Sequence, residues 1–398
     1  MGKENLAIHG GKPVRDSYLP YGKQSIDEED IQSVISVLKS DYLTTGPKIV
    51  EFENAIANYV DAKFSVAFSS GTAALHAACF ACDIGKNDEV ITTPMTFAAS
   101  ANCILYQGAT PVFADIDPQT YNISPLEIQK VISNKTKAII PVDFTGSPAA
   151  LNEILEIARN ENLIVIEDAA HAFGASYNDQ KIGSISDMTM FSFHPLKHIT
   201  TGEGGIITTN SRTLYEKLVL FRNHGITRKK EKLIENHDPW YYEMQTLGYN
   251  YRISDIQSAL GISQLKKIDR FVEIRRHYTE MYNEAFKDIK QLQVPYQDTR
   301  GSSSWHLYII RLNTSQLTVG RKGIFEALKA ENIGVNVHYI PIYYHPYYRE
   351  IGYEKGLCPI AEKLYEEILT LPLFPSMSEL DIKDVIHAVK KVILCFSK

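Results

Sequence analysis

Lys197 lies in "SFHPLKHITTGEGG", residues 192–205, between a short aromatic stretch and a glycine-rich turn. An amine held where an apolar strand ends can form a Schiff base with a carbonyl and move protons. A lysine on a turn is also an ordinary surface charge, so its companions decide between the two. "LIVIEDAAHAFGA" runs four apolar residues into Glu167 and Asp168, followed by two alanines and His171. A carboxylate at the end of a central strand is buried, and without a partner it takes up a proton. That partner is either a structural cation or a protonated ring nitrogen, and Ala169 and Ala170 leave room for a flat ring. "VAFSSGTAALHAA" reads as strand, small-residue turn and helix. Its backbone N–H groups and helix N-terminus suit a phosphate, although Ser-Gly-Thr serves equally well as a plain helix cap. In "VITTPMTFAASAN" Phe97 follows a strand, where it can pack in the core or lie flat on a planar ligand. Ser192, at the end of the strand before Lys197, can reach a phosphate.

Taken together these residues provide a phosphate cup, a stacking ring, a carboxylate for a pyridinium nitrogen and a Schiff-base lysine, on successive strand ends. That set is what pyridoxal 5′-phosphate requires of a protein. His194 and His198 have the i, i+4 spacing of metal ligands. Pro195 between them and the lack of an adjacent acidic ligand argue against a metal, and none is assigned. Cys79 and Cys82 form a CxxC without a second pair, inside the apolar helical run "AALHAACFAC". They read as buried core thiols.

The elements that must position these residues follow a clear rhythm. Short apolar runs at 64–68, 89–93, 110–114, 137–142, 163–167, 188–193 and 205–209 read as buried strands, most of them separated by helical segments. This is an α/β pattern, with a mostly parallel sheet sandwiched by helices and ligands bound at the carboxyl ends of its strands. "SIDEEDIQSVISVLKS" opens with Ser25 and Glu28 at capping-box spacing and predicts an amphipathic helix, and a second helix runs through "IVEFENAIANYV". After residue 250 a long helical region, residues 253–286, leads to "SSWHLYIIRL", a helix near 321–331, a strand in "GVNVHYI" and two closing helical stretches. The expected organisation is an N-terminal segment (1–25), a large α/β domain holding the cofactor (26–250) and a smaller C-terminal α+β domain (251–398).

A chain of 398 residues with 44% hydrophobic residues can build such cores, and its net charge of −6 favours neither nucleic acid nor an anionic membrane. An anionic substrate then needs local donors. The first residues have no apolar signal region, and Gly2 is followed by Leu6 where a myristoylation motif needs Ser or Thr. No apolar run approaches a membrane span, and five cysteines do not make a disulfide framework, so the expected location is cytoplasmic.

"EDAAHAFGA", "FSFHPLKHITTGEGG", "RNHGI" and "LGYNYRISDIQSALGISQLKKID" resemble the DegT/DnrJ/StrS family of sugar-nucleotide aminotransferases over nearly the whole chain. The resemblance implies the type I fold of pyridoxal-phosphate-dependent aminotransferases. Lys197 then carries the cofactor, Asp168 faces its pyridine nitrogen and His171 lies near its ring hydroxyl. Phe97 stacks on the ring, while Gly71, Thr72 and Ser192 hold the phosphate. Asn250 reaches the phosphate of the neighbouring subunit of a homodimer. Substrate contacts map onto Tyr21, onto Asp41, Tyr42, Leu43 and Thr44, and onto Asn336, Val337, His338 and Tyr339. Relatives differ at Gly71, where some have alanine. The branch it resembles most moves an amino group from L-glutamate to C4 of a UDP-linked 4-keto-6-deoxy-N-acetyl sugar, as in pseudaminic acid biosynthesis.

Other family reactions remain open: amination at another carbon, a dTDP- or GDP-linked sugar, or a sugar dehydratase, against which Lys197 speaks because the related dehydratases carry histidine there. A fold-retaining sensor without catalysis is the third class. In "HGITRKKEKLIENHDPWYYEMQ", Arg228, Lys229 and Lys230 precede Trp240, Tyr241 and Tyr242 in a long loop that either holds the diphosphate of a sugar nucleotide or is simply a solvated charge run.

Overall fold

A computed structural model describes residues 5–235 and 238–398. Gly2, Asn236 and His237 lie outside them. Seven strands form the main sheet: β1 (Phe64–Phe68), β2 (Glu89–Thr92), β3 (Thr110–Phe113), β4 (Thr136–Ile140), β5 (Ile164–Asp168), β6 (Met188–Ser192) and β7 (Gly205–Thr209), in the order β1-β7-β6-β5-β4-β2-β3. The pairs among β3, β2, β4, β5 and β6 are parallel, whereas β7 runs antiparallel to both β6 and β1. No helix separates β6 from β7. Residues 193–204 turn the chain straight back, and a returning strand must be antiparallel. Strand β1 therefore points the same way as β6, and β1, β2, β5 and β6 all open at one edge.

Each strand feeds two cores, which is why the runs are apolar throughout. Val66, Ile166, Met190 and Ile207 belong to one cluster, and their neighbours Ala67, Val165, Phe191 and Ile206 to the other. Successive side chains of a strand point to opposite faces. Helices α1 (Glu28–Leu38) and α2 (Pro47–Val60) precede the sheet. Helices α3 (Gly71–Ala81), α4 (Ala99–Tyr106), α5 (Pro125–Val131), α6 (Leu151–Glu161) and α7 (Arg212–Arg222) follow within it. Cys79 is buried on α3 and Cys82 is buried just after its end, where burial pushes the Cys82 thiol well up.

Three details depart from the sequence reading. Helix α1 is capped by Asp27 with Asp30, not by Ser25 with Glu28. Gln264 donates to the Asp30 carboxylate at 2.6 Å and Lys267 pairs with it at 2.9 Å, which fixes it at this position. The long helix over 253–286 is two, α8 (Asp255–Leu265) and α9 (Ile268–Phe286). Those same ties hold the end of α8 against α1, Asp255 at its start accepts from Gly46 and Lys48 N–H at the start of α2, and α9 turns away to pack on the last helix of the chain. The strand expected in "GVNVHYI" reduces to a single bridge between Asn336 and Thr370. Gly334 N–H donates instead to Leu19 O at 2.7 Å, so this segment pairs with the N-terminal stretch and leaves the ladder.

The second sheet is β8 (Leu292–Gln293), β9 (Tyr308–Leu312) and β10 (Ile368–Leu371), all antiparallel. Helices α10 (Arg321–Ala330), α11 (Pro346–Glu350), α12 (Pro359–Glu367) and α13 (Glu379–Phe396) complete this part, and Leu6 and Leu19 from the N-terminal segment enter its core. Among the described residues no helix is long and apolar enough to cross a membrane.

Candidate active site

A cavity of about 590 Å³ opens at the carboxyl edge of the main sheet, closed from the opposite side by Tyr21, His306, Leu307, Tyr339 and Leu373. The turn after β6 carries Lys197 into it. That turn is held by Lys197 N–H to His194 O at 2.9 Å and Phe193 N–H to Gly204 O at 2.9 Å. Burial lowers the Lys197 ammonium to about 8, against the opposing pull of the Asp168 carboxylate. About a tenth of the amine is therefore uncharged at pH 7, and far more of it than of an ordinary lysine. The Nζ lies 3.5 Å from His306 Nε2.

Asp168 closes β5 and is buried. Burial raises its carboxyl, while Ser100 Oγ donating at 2.6 Å and Ala170 N–H at 3.1 Å work to lower it. Among the described residues no cation sits at ion-pair distance from this carboxylate. His171 is buried three residues beyond the end of β5, and its Nε2 lies 3.0 Å from the Tyr339 hydroxyl. Its Nδ1 has no hydrogen-bond partner. Burial, then the nearby Lys197, hold His171 well below the usual imidazole range.

The turn at the end of β1, expected to hold a phosphate, presents bare backbone to the cavity. Ser70 caps α3 by accepting from Ala73 N–H at 3.1 Å, which leaves the N–H groups of Gly71 and Thr72 at the cavity. A side-chain carbon at Gly71 would lie 3.2 Å from Ser192 Cβ, and one at Gly205 only 2.6 Å from the Gly71 backbone. Strand β7 thus packs directly beneath the first turn of α3. Phe97 lines the cavity with 63% of its surface exposed, an unusual state for a phenyl ring.

Of the expected substrate contacts, Tyr21 and Tyr339 line the cavity. His338 is buried behind them, with Nδ1 2.8 Å from Thr370 Oγ1 and its ring against Tyr21. Asn336 and Val337 do not reach the cavity lining. Asp41, Tyr42, Leu43 and Thr44 are exposed and outside it, because their backbone is tied to the start of α8: Asp255 N–H donates to Leu43 O at 3.1 Å. Asn250 is also exposed and outside, bridged to Asn223. Arg228 and Lys229 line a separate groove against α7, with the Arg228 guanidinium over the Tyr242 ring.

Sequence reasoning missed Ser100 and His306. Ser100 sits in α4, 68 positions before the carboxylate it contacts, and His306 is 109 positions beyond Lys197. A histidine just ahead of an apolar strand in "SSWHLYII" was the one available signal. His198, unassigned from sequence, is buried with Nε2 3.1 Å from Ser304 O.

The profile of the DegT/DnrJ/EryC1/StrS aminotransferase family matches residues 24–390. The chain belongs to this family. It is 42% identical to the Bacillus subtilis spore coat polysaccharide biosynthesis protein SpsC, over 95% of this chain and 98% of that one. It is 38% identical to the Campylobacter jejuni UDP-4-amino-4,6-dideoxy-N-acetyl-beta-L-altrosamine transaminase, over 92% and 95%. The solved structure of Helicobacter pylori PseC, an aminotransferase involved in the biosynthesis of pseudoaminic acid, superposes with a TM-score of 0.89 at 33% identity, covering 96% of this chain and 100% of that one. The protein is a sugar aminotransferase with the fold of the pyridoxal-phosphate-dependent enzymes, and pyridoxal 5′-phosphate is its cofactor.

The residues present fit that cofactor. An amine of lowered proton affinity, a buried carboxylate without an ion-pair partner, an orphaned imidazole Nδ1, two N–H groups at a helix start and an exposed phenyl ring all face one cavity. Each lacks the partner that the aldehyde, ring nitrogen, ring hydroxyl, phosphate or ring face would supply.

Proposed function

We propose that this aminotransferase moves an amino group from L-glutamate to C4 of a UDP-linked 4-keto-6-deoxy-N-acetyl sugar. The observation that carries the chemistry is one cavity lined together by Lys197, Asp168, Phe97, Gly71 and Thr72. Similarity to the C. jejuni transaminase and to PseC supports the choice of sugar. The higher identity to SpsC favours a second reading, in which the acceptor is a different keto sugar nucleotide.

Bound pyridoxal phosphate supplies the aldehyde that accepts the amine and the ring that absorbs electrons. Lys197 Nζ would attach the cofactor; once released, it would take the proton from the donor carbon and pass it to the bound cofactor, and in the second half it would take a proton back from the cofactor and give it to C4 of the sugar. Asp168 keeps a proton at the ring nitrogen, since a buried carboxylate of raised proton affinity is best satisfied by a cation. Ser100 Oγ holds that carboxylate in place. Gly71 and Thr72 N–H groups with the Ser192 hydroxyl bind the phosphate at the α3 terminus. Phe97 covers the ring, and Tyr339 orients His171 toward the ring hydroxyl.

The working unit in this reading is a homodimer. Asn250 and residues 41–44 stand outside the cavity of their own chain, in company with exposed Tyr42, Leu43, Met244 and Leu247. A second copy covers these residues and receives them at its own cavity. Incubating the loaded enzyme with L-glutamate and a panel of 4-keto UDP-, dTDP- and GDP-sugars, with the product amine located by NMR, tests the substrate. Turnover confined to the UDP-N-acetyl sugar with the amine at C4 is expected. A preference for another nucleotide or carbon refutes this choice of substrate.

A further inference from the structure

His306 is buried and has no place in the scheme above. Its Nε2 lies 3.5 Å from Lys197 Nζ, and its Nδ1 is buried without a hydrogen-bond partner. Two other imidazoles pack against the ring, His171 at 4.4 Å between centroids and His198 at 5.5 Å. The backbone is fixed as well: Arg275, fully buried, donates to the carbonyls of Trp305, His306 and Leu373 at 3.1, 3.2 and 2.8 Å. The groups facing the imidazole are therefore Lys197, Arg275, His171 and His198, with no carboxylate among them. A proton on both ring nitrogens would set a third positive charge among cations and imidazoles. The proton that a neutral ring does carry belongs on Nε2, because an N–H at Nδ1 would be a buried donor without an acceptor. A ring with Nε2–H can only donate to Lys197, and an ammonium has no lone pair to accept.

We propose that His306 is a positioning residue, whose Nε2–H donates to the uncharged Lys197 amine and holds it unprotonated and aimed into the cavity. The contact favours the form that bonds to an aldehyde or takes a proton. It acts whenever the amine is free, both before the cofactor attaches and between the two halves of the reaction. The proposal rests on Lys197 as the attachment point of pyridoxal phosphate.

The test follows cofactor capture, not turnover. Protein stripped of cofactor is mixed with pyridoxal phosphate across a pH series, and the rate of visible-band formation is recorded for wild type, His306→Leu and His306→Gln. In wild type the rate rises with pH and levels off above about 8, where burial places Lys197. His306→Leu removes the donor, so the rise moves to higher pH; a displacement of half a pH unit is about threefold in rate on the acid side. His306→Gln keeps an N–H near the same place and is expected to follow the wild-type profile. A leucine variant that tracks wild type at every pH overturns the proposal. So does a glutamine variant displaced as far as leucine, since packing alone would then explain both. A wild-type protein that forms no band overturns the attachment at Lys197 itself, and this proposal with it.

Discussion

Gly205→Ala tests how the sheet supports the phosphate cup. The new methyl carbon would lie 2.6 Å from Gly71 Cα, Gly71 N and Ser70 C, all backbone atoms. Ordinary carbon contacts are about 3.5–4.0 Å, so β7 and the first turn of α3 must separate by about 1 Å. Strand β7 is paired on both sides, with β1 and with β6, and cannot slide away alone. Overpacking of this kind costs about 1–3 kcal/mol in stability. The same displacement moves the N–H groups of Gly71 and Thr72 away from the phosphate. Weakening one charge-assisted bond of about 1.5–3 kcal/mol lowers cofactor affinity about tenfold or more. The assay is a pair of measurements, urea denaturation of the cofactor-free protein and equilibrium titration with pyridoxal phosphate. Gly202→Ala is the control, with φ of 82° and open space around the added carbon. It carries backbone strain of about 1 kcal/mol but leaves the cup alone. If Gly205→Ala binds the cofactor as tightly as Gly202→Ala does, the cup is not built on this contact.

Three further outcomes follow from named contacts. Ser100→Ala removes the 2.6 Å donor from the Asp168 carboxylate, and a bond to a charged group of about 1.5–3 kcal/mol corresponds to about 1–2 pKa units. Asp168 then holds its proton more firmly at the expense of the ring nitrogen, and kcat should fall about tenfold or more; Ser100→Thr should retain most of it. His76→Gln probes acid stability, since burial depresses His76 from 6.5 to about 4 in the folded chain. The unfolded chain takes up that proton first as pH falls through 6.5, so wild type loses stability between 6.5 and about 4, on the order of 3 kcal/mol from this one site. Denaturation curves at pH 7 and pH 4.5 should show a smaller acid loss in the variant, and equal losses would contradict the assignment. For the dimer, Leu43→Asp with Leu247→Asp should shift the mass measured by light scattering from two copies toward one, and an unchanged dimer places the interface elsewhere.

The main sheet was legible because each strand is buried on both faces, so its apolar run is continuous and its end is marked by a polar residue with chemistry. Lys197, Asp168, Phe97, Gly71, Thr72 and Ser192 all come from such ends and meet at one cavity. What could not be read lies in tertiary ties. Lys266 and Lys267 fit helical periodicity, and only the contacts of Lys267 with Asp27 and Asp30 show why the helix breaks there. The "GVNVHYI" run has strand composition, yet its backbone pairs with Leu19 and Thr370 in a way no local pattern encodes. His306 reaches Lys197 only because Arg275 and the start of β9 fold it over the cavity.

The central claim is amino transfer through a cofactor held by Lys197, and its most direct test is the visible absorption spectrum of the purified, cofactor-loaded protein. The account predicts a band that bleaches on adding L-glutamate, returns on adding a UDP-linked 4-keto-6-deoxy-N-acetyl sugar, and is absent in Lys197→Ala. A band that persists in Lys197→Ala, or one that L-glutamate leaves unchanged in wild type, would contradict it.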